Sequence, residues 1–426
     1  MQISIPYGNS AKAVFAIPDQ NYYGMLEPLQ VTPADDPVLE IEKAIDNPIG
    51  CPSLKDIVKY DRRVNIICDD ISRPTPISLI LPTLIKKLKE IGVSDSNVKI
   101  VMALGSHRYM TENEMRQRVG DDIYQNYKVV NSEFRKKENL IYLGTSRDGV
   151  EIHVSKEAMD CDIRIGIGNI VPHPVMGWSG GGKILFPGVT GEKTVAQFHM
   201  QGGMSNENLY GREECLIRLN MEEWVDIVGL HFVINTVLTP KMAIYKVVAG
   251  HYIKAHREGV KHAKVALGCK MRTNVDIVVV SSYPADIDFW QSGKGMFSAE
   301  HALKDHNGTI VLVTPNYEGI GPHDEYPKYF GMDNAEKILL RAYRGELVEG
   351  DPLAISVGTS MSKLRRRVNL VMVTDGVTEE EADICKIKHY PLCRLQQAVD
   401  DAMAKYENPL VAAASHGGEL FIYNGV

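Results

Sequence analysis

Apolar and polar residues alternate over 2–17 around Gly8-Asn9, the pattern of a two-stranded hairpin. Short helical patterns follow over 39–45 and 54–60. A compact apolar run over 64–68 predicts a strand. It ends in the polar stretch Asp69-Asp70-Ile71-Ser72-Arg73-Pro74-Thr75-Pro76, and a helical apolar period then runs to residue 88. The same order repeats with a strand over 98–104, the polar end Gly105-Ser106-His107-Arg108, and a helix opened by a Thr111/Glu114 capping box. Strands over 151–154 and 163–170 lead into a glycine-rich loop. The runs 232–237 and 242–248 read as paired strands, and 251–265 as an amphipathic helix. A second rhythm starts with an apolar run over 275–280. It continues with a helix after Phe297, a strand over 309–313, a helix over 335–343 and a strand over 368–373. A helix over 395–406 and a strand over 419–423 close the chain.

Strand, polar loop, helix is the rhythm of a doubly wound parallel sheet. Its occurrence in two blocks predicts two α/β domains, a Rossmann-like one over 1–268 and a second over 269–426. Polar strand ends in both blocks predict an active site in the cleft between them. No repeat and no low-complexity segment is visible in the sequence.

The loop over 169–200 is the densest chemical signal. Lys183 sits in a run of glycines, with His173 before it and His199 after it. Gly177, four residues, then Gly182-Lys183 has the spacing of a phosphate loop. The following residue should be Ser or Thr to hold Mg²⁺, but it is Ile184, and Pro187-Gly188 interrupts the helix that should follow. A nucleotide triphosphatase is therefore disfavoured. A glycine-lined pocket with one Lys and two flanking His remains, against the bland alternative of a surface glycine loop.

Composition narrows the classes further. The 426 residues carry 44% hydrophobic and 24% charged residues, as in a soluble globular protein, and a net charge of −7 argues against nucleic acid as the partner. No stretch is long and apolar enough for a membrane span, and Met1-Gln2-Ile3-Ser4 does not read as a secretory signal. Seven Cys without a C-x-x-C pair fit a reducing cytoplasm, where the chain is expected to reside. The run Arg365-Arg366-Arg367 reads as a solvated face before a strand.

Individually the candidate residues are weak. Asp70-x-x-Arg73 before Pro-Thr-Pro is either a helix start or a pair in which Arg73 faces a phosphate or carboxylate, while Asp70 takes a ribose hydroxyl or orients a His. Asp69-Asp70 could also hold Mg²⁺, without a second carboxylate cluster to support it. His107 and His173 taken singly are structural loop residues as readily as acid/base groups. Together they suit a reaction that needs proton transfer on both faces of a substrate. His199 is a candidate metal ligand without an H-x-x-x-H partner, so further ligands would come from a cofactor.

Asp70-Ile71-Ser72-Arg73-Pro74-Thr75-Pro76, Gly105-Ser106-His107-Arg108, His173-Pro174, Ser179-Gly180-Gly181-Gly182-Lys183, Pro187-Gly188, His199 and Gln291-x-x-Lys294 together resemble the nickel-pincer lactate racemase family. The resemblance covers most of the chain in order. It implies two α/β domains around a nickel-pincer nucleotide joined covalently to Lys183, with His199 as the protein's nickel ligand. It further implies that Asp70, Ile71, Ser72 and Arg73 contact the nucleotide, with Pro187 beside its ring. His107 and His173 would be the opposed acid/base pair, and Gln291, Lys294 and Arg73 would hold a substrate carboxylate. The implied reaction is racemisation or epimerisation of a 2-hydroxy acid by hydride removal and return, the redox chemistry residing in the cofactor. Cofactor-synthesis proteins are implied as partners.

Trp290 stands where the family pattern leads one to expect Tyr, and no Trp follows it. Both departures fall where the substrate side chain would lie, so lactate and a larger 2-hydroxy acid both remain open. Two rival readings are a zinc hydrolase with His107, His173 and His199 as ligands, and a nucleotide or nickel carrier without turnover.

Overall fold

The computed structural model describes all residues except Ser106, Asp305, His306, Leu347, Gly425 and Val426. Ser106 of the Gly105-Ser106-His107-Arg108 motif therefore lies outside the described residues.

Two six-stranded sheets organise the chain. The first runs in the order Ile244–Gly250, Phe232–Leu238, Ile163–Asn169, Val64–Asp69, Val98–Ala103, Lys128–Asn131, parallel except for the antiparallel edge strand Ile244–Gly250. The second, Lys388–Tyr390, Asn369–Val373, Thr309–Val313, Ile277–Ser281, Val411–Ala414, Tyr22–Leu26, is parallel throughout. Parallel strands covered by helices on both faces read as near-continuous apolar runs. Ile163–Asn169 and Thr309–Val313 are accordingly buried along their whole length. The expected two-domain α/β architecture is the one found.

Each sheet has a switch point. In the first, the chain moves from Val64–Asp69 outward to Lys128–Asn131, then returns to place Ile163–Asn169 on the other side. In the second, Ile277–Ser281 and Val411–Ala414 flank the same reversal. Loops leaving the carboxyl ends of such strand pairs diverge and leave a crevice. Here the connections carry Asp70 to Arg73, the Lys183 loop, the short helical stretch with Gln291 and Lys294, and residues 415–419.

Sheet membership departs from the expected division at 268. The hairpin Gln2–Tyr7/Ala11–Ala16 packs on the second sheet through Ile3, Ile5 and Phe15, and Tyr22–Leu26 pairs with Val411–Ala414. The first residues thus belong with the second lobe. The chain crosses to the first lobe after Leu26 and returns near Gly268–Met271, where that strand pairs with Phe421–Asn424. A parallel partner for Val411–Ala414 is a long-range choice that no local periodicity encodes.

Two further differences concern helices. The helix expected after Phe297 lies earlier, as Phe289–Ser292 and Lys294–Glu300, so Gln291 and Lys294 are helical. Arg365, Arg366 and Arg367 form the last turn of the helix Pro352–Arg367 and pair with Asp333, Glu336 and Glu300. Favourable interaction of cations with a helix carboxyl end accounts for their place there.

Candidate active site

A cavity of about 510 Å³ opens between the lobes. Asp70, Ile71, Ser72, Arg73, His107, His173, Lys183, Pro187, His199, Gln291 and Lys294 all line it. These eleven candidate residues thus reach one space, although they come from loops and helices far apart in the chain.

The floor is the glycine loop, and it is clamped rather than open. The side chain of Arg218, fully buried, donates to the carbonyls of Met176 and Trp178. Asn235 accepts from the Gly181 amide at 2.8 Å, and His256 Nε2 bonds the Ser179 carbonyl at 2.8 Å. A Cβ on Gly177 would fall 1.8 Å from the Arg212 carbonyl, and one on Gly181 would fall 2.7 Å from that of Tyr252, with φ positive at both. These two glycines are needed for close packing against protein, not for approach of a ligand. The turn Gly181–Ile184 is a short 3₁₀ segment, not the start of a phosphate-binding helix.

That packing leaves Lys183 half-buried on the cavity wall. Burial, reinforced by Arg73, Lys294 and Arg218, holds its amine well below the usual lysine range. Such lowering raises the share of the unprotonated, nucleophilic form of the amine. Asn169 Nδ2 is buried on the same wall without a hydrogen-bond partner among the described residues.

His199 lies on the helix Glu192–Met204. Its Nδ1 donates to the Val195 carbonyl at 2.9 Å, which leaves Nε2 with a free lone pair. Burial lowers its pKa to about 4, partly offset by that carbonyl, so the lone pair persists at neutral pH. The helix packs tightly: a Cβ on Gly202 would meet Val175 at 2.3 Å, and one on Gly203 would meet the Ser356 carbonyl at 2.8 Å.

The two other histidines are held in different ways. His107 Nδ1 lies 2.5 Å from Asp70 Oδ2, so the ring donates there and Nε2 is an acceptor. Burial would raise the Asp70 carboxyl, but His107, Arg73 and Ser72 outweigh it and hold it far below the carboxylate range. His173 Nδ1 instead accepts from the Val175 amide at 3.2 Å, so a neutral ring carries its proton on Nε2. Burial and then Lys183, Lys294 and Arg73 keep that ring neutral. The pair therefore presents one accepting and one donating nitrogen, and neither ring hydrogen-bonds the other.

A chain of hydrogen bonds crosses the cleft. Gln291 Nε2 donates to His107 Nε2 at 3.4 Å, and Lys294 Nζ donates to Gln291 Oε1 at 2.8 Å. Asp288 caps the short helix by accepting from the Gln291 amide at 2.7 Å. Lys294 is lowered to about 7, chiefly by burial and then by Arg73.

Three lining residues escaped the sequence reading. Glu419 follows Val411–Ala414, whereas the sequence placed it inside a final strand, and burial pushes it up to about 7 against the pull of Lys294 and Arg73. Asp286 and Tyr326 are also buried in the wall, and both have an unpartnered oxygen. A polar residue after an apolar run was the only available signal.

Among the described residues no group of three or more His, Cys, Asp or Glu side chains converges as a metal site. His107, His173 and His199 line one cavity without forming the zinc centre of a hydrolase.

The lactate racemase N-terminal domain family matches residues 7–211, and the lactate racemase C-terminal domain family matches 270–417. A lactate racemase from Thermoanaerobacterium thermosaccharolyticum is 31% identical over 334 residues, 76% of either chain. One from Lactiplantibacillus plantarum is 29% identical over 348 residues, 80% of this chain and 81% of that one. The lactate racemase apoprotein structure from T. thermosaccharolyticum matches with a TM-score of 0.86 at 25% identity, over 99% of this chain and 100% of that one. A crystal structure of a Thermotoga maritima protein shares the fold, with a TM-score of 0.71 at 17% identity over 93% of this chain and 100% of that one. Two domain families in consecutive order, and a relative alike over three quarters of both chains, lead to one assignment: the chain belongs to the lactate racemase family.

Proposed function

We propose that this chain racemises or epimerises a 2-hydroxy acid, with a nickel-pincer nucleotide joined to Lys183. The observation that carries the reading is the convergence of two histidines with different free nitrogens, a lysine amine held below its usual range, a free imidazole nitrogen and a cationic clamp on one interlobe cavity. The residues fit such a group. Lys183 offers the amine for the covalent bond, His199 Nε2 offers a nickel ligand, and Asn169 Nδ2 offers an unused donor. Asp70 to Arg73 and Pro187 border the space for the nucleotide. When bound, that group supplies the acceptor for the substrate's C2 hydride.

The chain's own residues do the rest. Lys294 and Gln291 bind the substrate carboxylate, with Arg73 adding positive charge. Binding replaces the Gln291–His107 hydrogen bond and frees His107 Nε2. With Asp70 fixing Nδ1–H, His107 takes the hydroxyl proton of one enantiomer. His173 Nε2–H gives a proton to the oxygen when the opposite hand forms. The roles exchange in the reverse direction, as general acid/base catalysis requires.

The test is co-expression with cofactor-synthesis proteins. Intact mass should show an adduct on Lys183, metal analysis should show nickel, and chiral chromatography should show interconversion of 2-hydroxy acids. A loaded, folded protein that interconverts none of them refutes the reading.

A further inference from the structure

We propose that Glu419 and Asp286 form an acceptor subsite for hydroxyl groups beyond C2, so that the preferred substrate is a polyhydroxylated 2-hydroxy acid rather than lactate. The inference rests on the racemase reading and assigns its substrate class.

Ile277–Ser281 and Val411–Ala414 are adjacent parallel strands, and Asp286 and Glu419 lie in the loops that follow them. The loops touch: a Cβ on Gly418 would lie 2.7 Å from Ala285 Cβ. Glu419's loop also abuts the helix that begins at Lys294, since a Cβ on Gly417 would lie 3.2 Å from Gly295 Cα. Both acids line the cavity beside the carboxylate clamp.

Asp286 is 6% exposed, and its Oδ2 has no hydrogen-bond partner among the described residues. Glu419 is half-buried on the same cavity, where Lys294 and Arg73 pull against its burial. Tyr326, fully buried on the same wall, also has an unpartnered hydroxyl. A buried acceptor left unpaired is costly, so Asp286 Oδ2 needs a donor when a ligand displaces water, and Glu419 offers a second acceptor in the adjoining loop.

The chemistry of the donor follows by comparison. A substrate carboxylate and a nucleotide phosphate are anions and would be repelled by these acids. The methyl group of lactate donates nothing and would leave both acceptors bare. A cationic side chain would meet Arg73 and Lys294 in the same cavity. Neutral hydroxyl groups satisfy the acids without that repulsion. A site built to hydrogen-bond a hydroxyl rejects the analogue lacking it far more strongly than an apolar pocket discriminates by size.

The experiment uses cofactor-loaded enzyme in internal competition, so the active fraction cancels. C2-deuterated lactate competes with deuterated glycerate, 2,3,4-trihydroxybutanoate or a six-carbon pentahydroxy acid. The wild type should favour at least one hydroxylated acid by about tenfold or more in kcat/KM, the scale of a buried hydrogen bond. Glu419→Leu should lower that ratio by about tenfold or more, and Glu419→Gln, which keeps an acceptor, by less. Asp286→Ala, which removes the acceptor, should lower it as well, which guards against one variant folding poorly. Lactate turned over as well as every hydroxylated acid, or a ratio that neither Glu419→Leu nor Asp286→Ala moves, overturns the subsite alone. No turnover of any acid, lactate included, overturns the racemase reading and the subsite with it.

Discussion

At the scale of single residues, the site depends on which nitrogen of a ring is free. Asp70 fixes the His107 tautomer through a 2.5 Å contact. Asp70→Asn should leave the ring in place but present the wrong nitrogen. Racemisation should fall by about 10²- to 10⁴-fold, by analogy with removal of the carboxylate that orients a catalytic histidine. Chiral chromatography of the loaded variant measures this, and near-normal turnover would remove Asp70 from the machinery. Lys183→Ala should abolish the covalent adduct in intact mass while leaving the midpoint of chemical denaturation almost unchanged. The side chain lines a cavity, and its loss also relieves crowding with Arg73 and Lys294.

Lys294 sets a pH dependence at the same scale. Its folded pKa of about 7 lies below the unfolded value, so the free enzyme loses the clamp's charge as pH rises through 7. The kcat/KM should decline on that limb, because it reports groups of the free enzyme. Lys294→Arg, permanently charged, should move the decline upward. The stability sign is the reverse. Between pH 7 and the unfolded value of about 10.4 the unfolded chain binds more protons, so stability should rise with pH in that window. Urea titrations at several pH values should show this slope in the wild type and its loss in Lys294→Met.

At the scale of elements, the helix Glu192–Met204 positions His199 and is anchored from the other lobe. Lys363, on Pro352–Arg367, donates to the carbonyls of Gly203, Met204 and Ser205 at 2.8, 3.1 and 3.1 Å. These are the free carbonyls at the helix end, and a buried ammonium satisfies all three. Lys363→Met should cost about 1.5–3 kcal/mol, the scale of hydrogen bonds to a charged group, read by denaturation of cofactor-free protein. Gly203→Ala should also destabilise, by about 1–3 kcal/mol of overpacking against the Ser356 carbonyl. This helix was not legible in the sequence. It is buried on several sides and contains Gly202-Gly203, so it lacks the one-sided apolar stripe of a surface helix. The capping box Thr111/Glu114 was legible because its bonds are local, and it forms as expected.

At the scale of the whole molecule, Gln291 and His107, one residue from each lobe, bridge the cleft at its cavity. The bridge falls on the atom that would take the substrate proton. What the sequence by itself determined is local. Apolar runs specified the central strands, because a strand covered on both faces is apolar at most of its positions. The polar loops after them carried Asp70, His107, His173, Lys183 and Lys294, and family motifs tied these together. Only the tertiary structure decided which loops share an edge. It placed Tyr22–Leu26 in the second sheet and brought Asp286 and Glu419 to the cavity wall beside the clamp. The physical reason is that strand order and lobe packing are set by contacts between residues hundreds of positions apart. A carboxylate in a loop looks the same in sequence whether its neighbours are water or a buried lysine.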